Sequence, residues 1–245
     1  MCSSDLYTVG AQIIEAYRVH NDVSKKAARA HAIDLINRVG IPQAARRVDD
    51  YPHQFSGGMR QRAMIAMAMS LNPKLLIADE PTTALDVTVQ AQVLAVIKTL
   101  QEEFGTAVIL ITHDLGVVAD VADNVQVMYA GAVMEKADLR TTFFANHHPY
   151  TEGLLLSLPA YGGERERLRP INGQPPSLIN LPPGCPFSPR CAYVMDRCLT
   201  ENPPLAAVGN DASHLSACWL PHDVAARAEL RRKVVGEPLP AQAEA

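Results

Sequence analysis

FSGGMRQRAMIAMAMSLNPKLLIADEPTTALD, residues 55–86, decides the fold. It divides into a loop, a helix, a strand and a polar turn. Ser56, Gly57 and Gly58 stand directly before a run of good helix formers, so backbone N–H groups and the positive end of a helix dipole face whatever lies in front of them. A phosphate fits such a place. The helical pattern runs from Gly58 to Leu71 and stops at Asn72–Pro73, and its four methionines read as packing surface, not ligands. Leu75 to Ala78 is then an apolar run of strand length that reads as buried; it ends in Asp79 and Glu80 and is closed by Pro81. Two carboxylates therefore stand at the carboxyl end of a strand.

Working outward, Val87 to Phe104 carries Val89, Val93, Ile97, Leu100 and Phe104 along one face, a second long helix closed by Gly105. Ala107 to Ile111 is another strand of buried character, and Thr112, His113 and Asp114 stand at its end. Strand, helix and strand with polar residues at the carboxyl ends describe a parallel α/β sheet whose ligand lies beyond the strand tips. Val125–Tyr129 and Ala132–Glu135, turned at Gly131, form a hairpin, and a helical signal returns from Leu139 to Leu158, interrupted by His147, His148, Pro149 and Tyr150. Towards the N-terminus, apolar positions three and four apart between residues 7 and 40 predict two amphipathic helices, the second ended by Val39 and Gly40. Residues 41–54 read as a solvated connector, and the chain beyond Asp223 as one helix and a frayed tail.

Composition limits the classes open to the chain. With 245 residues and 48% apolar content it holds one full core and a smaller appended region. A net charge of −4 gives no global drive towards nucleic acid, and no run approaches the roughly 18 apolar residues of a membrane span. The N-terminus has neither a basic nor an apolar leader region, so the expected place is the cytosol, with docking on a membrane protein open.

FSGGMRQR, LLIADEP, ALD and a strand ending in THD, in that order, resemble the nucleotide-binding domain of an ABC transporter ATPase. The fold this implies is α/β, P-loop-NTPase-like, with a helical part over about residues 7–72, a catalytic part over about 73–150, and a C-terminal extension over 151–245. By the resemblance, Ser56, Gly57 and Gly58 belong to the signature loop that presses on an ATP held by a facing subunit, with Gln61 just behind it. Asp79 matches the position that holds Mg²⁺, Glu80 the general base, Asp86 the D-loop and His113 the switch histidine at the γ-phosphate. Successive side chains at a strand end diverge, which suits one carboxylate for a metal and the other for a nucleophile.

The phosphate-cradling pattern GxxxxGKS/T is absent: no lysine of the chain follows a glycine. The family pattern begins only near Tyr7, and the resemblance implies roughly a hundred further residues in front, an ordinary increment of domain size. A truncated frame with weak ATP binding of its own is the expectation. YPHQFSGGMRQRAMIAMAM, with Met59 where most signature loops have glutamine, together with HHPYTEGLL, narrows the resemblance to the first ATPase subunit of oligopeptide and dipeptide importers. That group implies a second, similar ATPase, two membrane permeases and an external peptide-binding protein as partners, a place on the inner face of the membrane, and no nucleic acid. Two other readings stand beside it: a partner that only donates its signature loop, and a non-transport ABC ATPase, which would show basic clusters or a long coiled coil.

Cys185, Cys191, Cys198 and Cys218 are a second constellation, spaced C-x5-C, C-x6-C and C-x19-C, in a proline-rich, loop-like segment. The gaps exceed the x2–x4 knuckle usual for zinc, match no common ferredoxin run, and leave the metal open. The importer resemblance implies a 4Fe–4S iron–sulfur cluster, with Zn²⁺ and four buried thiols as the alternatives. His214 reads as a spare ligand or, more simply, a surface histidine.

Overall fold

A computed structural model describes residues 6–158 and 170–221, and the chain divides into two compact units after Asp114. In the first, α1 (Val9–His20) and α2 (Lys25–Arg38) start at Thr8 and Ser24, whose hydroxyls accept the N–H of Ala11 and Ala27. Gly40, at φ 72°, takes the left-handed turn that ends α2. A short helix α3 (Ala44–Arg47) and a 3₁₀ turn (Pro52–Gln54) lead to α4 (Gly57–Met69). The strands β1 (Leu75–Asp79) and β2 (Ala107–Ile111) flank α5 (Val87–Phe104), and they pair in parallel from Leu75 opposite Ala107 to Asp79 opposite Ile111. Ile13, Leu35, Ile36, Val48, Phe55, Met69, Val93 and Leu100 make one buried core from all five helices and the loop before α4.

Two expectations change here. The connector over residues 41–54 is not simply solvated: Ile41, Ala44 and Val48 are buried in the core, and their i, i+3, i+7 spacing is that of a helical face. Nor are the strands buried on both faces. Leu76 and Val108 pack against the helical core, while Ile77 is 61% and Ile109 48% exposed on the opposite face. Within this unit the helices cover one side of the sheet.

The second unit begins with α6 (Leu115–Val121) and contains a four-stranded antiparallel sheet ordered β3-β4-β6-β5. β3 (Asn124–Tyr129) and β4 (Ala132–Asp138) form the expected hairpin, followed by α7 (Leu139–Phe144) and α8 (Pro149–Leu156). After α9 (Asp196–Thr200), β5 (Ala206–Val208) and β6 (Asp211–Ser216) turn at Gly209, φ 60°. β6 pairs with β4 through Glu135 opposite Ser216 and Lys136 opposite Leu215. Because of that ladder the cysteine-bearing segment shares a compact unit with the hairpin. The expected C-terminal helix lies outside the described residues.

Candidate nucleotide site and thiol cluster

The loop before α4 is built as its sequence requires. Ser56 is the N-cap, its hydroxyl 3.4 Å from the Met59 N–H it receives. Gly57 and Gly58 occupy the first helical turn, where N–H groups have no intrahelical carbonyl and are available to an anion. Gly58 also answers a packing demand: a Cβ there would lie 2.4 Å from Val89 Cγ1, and one on Gly57 would lie 3.4 Å from Leu85. The loop thus abuts the start of α5, where Asp86 is the N-cap and accepts the Val89 N–H at 3.0 Å. Gln61 is half-buried on α4. Its neighbour Arg62, which sequence reading passed over, donates to Gly40 O at 3.0 Å and to Gln92 Oε1 at 2.9 Å, tying α4 to the end of α2 and to α5.

At the strand tips, Asp79 is exposed at the end of β1. Glu80 follows, its N–H donating to Ile111 O at 2.9 Å, so the loop after β1 is fastened to the last residue of β2. Its φ of 48° is left-handed, a conformation that costs a non-glycine residue about 1–3 kcal/mol and collects at functional sites. Glu80 Oε1 lies 2.7 Å from His113 Nδ1, and Oε2 accepts the Thr83 hydroxyl at 2.8 Å. The His113 bond, then the Thr83 bond, holds the Glu80 carboxyl below the usual range, and the same Glu80 bond raises His113 above its ordinary value. The pair faces solvent, His113 being 82% exposed. Gln90 Nε2 donates to Asp114 Oδ2 at 3.2 Å, linking α5 to the loop that carries His113.

The expected residues therefore fall into separate groups. Glu80 and His113 touch, with Asp79 adjoining; Ser56 to Gly58 meet the α5 start beside Asp86. A carboxylate paired with an imidazole can take a proton from water while the imidazole keeps a second nitrogen, Nε2, for an anion.

The four cysteines line one cavity of ≈ 10 Å³ together with His148, Tyr193 and Trp219 among others. None is in a disulfide. The Leu220 N–H donates to Cys218 Sγ at 3.5 Å, and backbone N–H groups of Phe187 and Ser188 favour the Cys185 thiolate and that of Tyr193 the Cys191 thiolate, against burial. Burial raises the Cys185 thiol and pushes Cys191 up to about 12. The donor set fits a soft metal in kind. In spacing, no three or more His, Cys, Asp or Glu side chains among the described residues are set to hold one ion.

His214 is neither a surface residue nor a fifth ligand: it is buried, with Nε2 2.7 Å from Glu135 Oε1. Glu135, missed in the sequence, is fully buried and also accepts the N–H groups of His147 and His148. A lone glutamate among the outward-facing polar residues of a hairpin gives no such signal. Among the described residues no helix is long and apolar enough to cross a membrane.

Known proteins carry the same pattern. Residues 5–83 match the ABC transporter family, and residues 134–198 match the oligopeptide/dipeptide transporter C-terminal region. The oligopeptide transport ATP-binding protein AppD of Bacillus subtilis is 54% identical over 198 residues, 81% of this chain and 60% of that protein. The dipeptide transport ATP-binding protein DppD of Escherichia coli is 50% identical over 224 residues, 91% of this chain and 68% of that protein. Among solved structures, cbiO1 from Clostridium perfringens, part of the ABC transporter complex cbiONQ, is similar at a TM-score of 0.50 and 28% identity, over 56% of this chain and 53% of that one.

Proposed function

The chain belongs to the oligopeptide/dipeptide-transport family of ABC transporter ATP-binding proteins, and from that membership we propose that it hydrolyses ATP to energise import of di- and oligopeptides. The observation that supports this best is the 2.7 Å contact of Glu80 and His113 beside Asp79. Glu80 is the base that takes the proton of the attacking water. His113, drawn towards its charged form by Glu80, offers Nε2–H to the γ-phosphate. Asp79 would hold Mg²⁺, which neutralises phosphate charge when bound. Ser56 to Gly58 turn the N-terminus of α4 to an ATP bound by a second ATPase subunit. Two permeases and an external binding protein complete the assembly, with this chain on the inner face of the membrane. Transport is tested by ATP-dependent uptake of labelled dipeptides into vesicles carrying the assembled complex; uptake unchanged when this subunit is left out contradicts the reading.

A second reading, in which this chain donates its signature loop to an ATP held by a partner, rests on Ser56 capping α4 with Gly57 and Gly58 in its first turn. Mixing the chain with the partner ATPase separates the two. Partner hydrolysis that depends on Ser56 and not on Glu80 supports the donor role.

For the thiol cavity, the reading is a polynuclear iron–sulfur cluster bound by Cys185, Cys191, Cys198 and Cys218. Four thiols round one cavity, with the Leu220 N–H on Cys218 Sγ, support it. A cluster reaches ligands set farther apart than the roughly 2.3 Å bonds of one zinc allow, which favours it over Zn²⁺. Iron and acid-labile sulfide in anaerobically purified protein test it; stoichiometric zinc alone overturns it.

A further inference from the structure

We infer that Thr83 is a positioning residue for the general base, its hydroxyl fixing the plane in which Glu80 meets the attacking water. The inference rests on Glu80 being that base. Thr83 holds Glu80 twice: its N–H donates to Glu80 O at 3.2 Å, and its hydroxyl donates to Glu80 Oε2 at 2.8 Å. His113 takes the other oxygen, Oε1, at 2.7 Å. The terminal torsion of a glutamate is broad, so a single donor leaves the carboxyl group free to swing; two donors, one on each oxygen, fix both its position and its plane. The base stands on a left-handed residue, φ 48°, whose backbone is pinned to Ile111, so the side-chain torsions alone are left to be set. Threonine suits the task because its branched Cβ restricts χ1 and keeps the hydroxyl aimed.

Thr83 is exposed, so its hydroxyl could be solvated by water if the bond were absent, and the fold gains little from it. Its effect belongs to the rate. The assay is steady-state ATP hydrolysis by the assembled transporter with the single variants Thr83→Val, Thr83→Ser and Glu80→Gln, alongside thermal unfolding. Thr83→Val, which keeps the shape and removes the donor, should lower kcat about 10-fold or more, the size expected for one hydrogen bond to a charged group, while KM for ATP and the unfolding temperature stay put. Thr83→Ser should restore most of the rate. Glu80→Gln should abolish it. Thr83→Val with the parental kcat beside an inactive Glu80→Gln overturns the role of Thr83 and leaves the base standing. Equal losses in Thr83→Val and Thr83→Ser, or a loss confined to KM or stability, also overturn it. An active Glu80→Gln removes the base itself.

Discussion

Glu135 Oε1 lies 2.7 Å from His214 Nε2, although 79 residues separate the two in sequence. The same carboxylate receives the backbone N–H groups at the start of α8, so one buried side chain joins the hairpin, α8 and β6. Glu135→Ala leaves those donors buried without their acceptor and should cost about 3–5 kcal/mol, read by urea unfolding. Burial raises this carboxyl, but the bonds from His214, Thr151 and the two N–H groups together outweigh it and leave it below the usual range. A lowered carboxyl contributes stability above its unfolded value and loses it as pH falls through its folded value. The second unit should therefore weaken on acidification below the ordinary glutamate range, and Glu135→Gln should flatten that dependence.

Gly58→Ala sets two effects against each other. Alanine gains about 1 kcal/mol of helix propensity. Its Cβ, 2.4 Å from Val89 Cγ1, meets a side chain that is stiff in a helix, and overpacking costs about 1–3 kcal/mol. The clash wins, so the variant should unfold earlier, and Val89→Ala added to it should return most of the loss. An unchanged midpoint would place the need for Gly58 in ligand approach alone.

These cases show what a sequence makes legible. Helix ends were readable at Gly40 and Gly105, because a left-handed stop selects glycine, and so was the Asp79–Glu80–Pro81 strand end. Burial of Ile41, Ala44 and Val48 was also legible in principle, since their helical spacing lay beneath the polar residues around them. β5 and β6 were harder. AAV and DASHLS lack a strong apolar alternation, and the one local sign was the two-residue Gly209–Asn210 turn. Glu135, His214 and the links of Arg62 depend on tertiary contact between distant segments, which a single sequence does not spell.

His113 offers a test by pH. Its bond to Glu80 raises the imidazole and lowers the carboxyl, so both are charged across the interval between them. The pairing is fully present below the ordinary histidine pKa and above the ordinary carboxylate range. It is lost as pH rises through the raised histidine value or falls through the lowered glutamate value. NMR titration without Mg²⁺ should place His113 above about 6.5, and Glu80→Gln should bring it back down. A His113 that titrates at the ordinary value in both proteins contradicts the pairing.

Cys191 is the thiol that burial pushes furthest, to about 12, so without a metal it stays protonated and unreactive. Native protein denatured anaerobically should release iron and sulfide together with four reactive thiols from the cavity. Cys191→Ala should lose the iron and its visible absorbance.

The most direct test of the account is single-turnover ATP hydrolysis by the assembled transporter carrying Glu80→Gln. If Glu80 is the base, the rate falls on the order of 10²–10⁴, equivalent to about 3–5 kcal/mol, while nucleotide affinity is kept. A hydrolysis rate equal to that of the parental complex would contradict it.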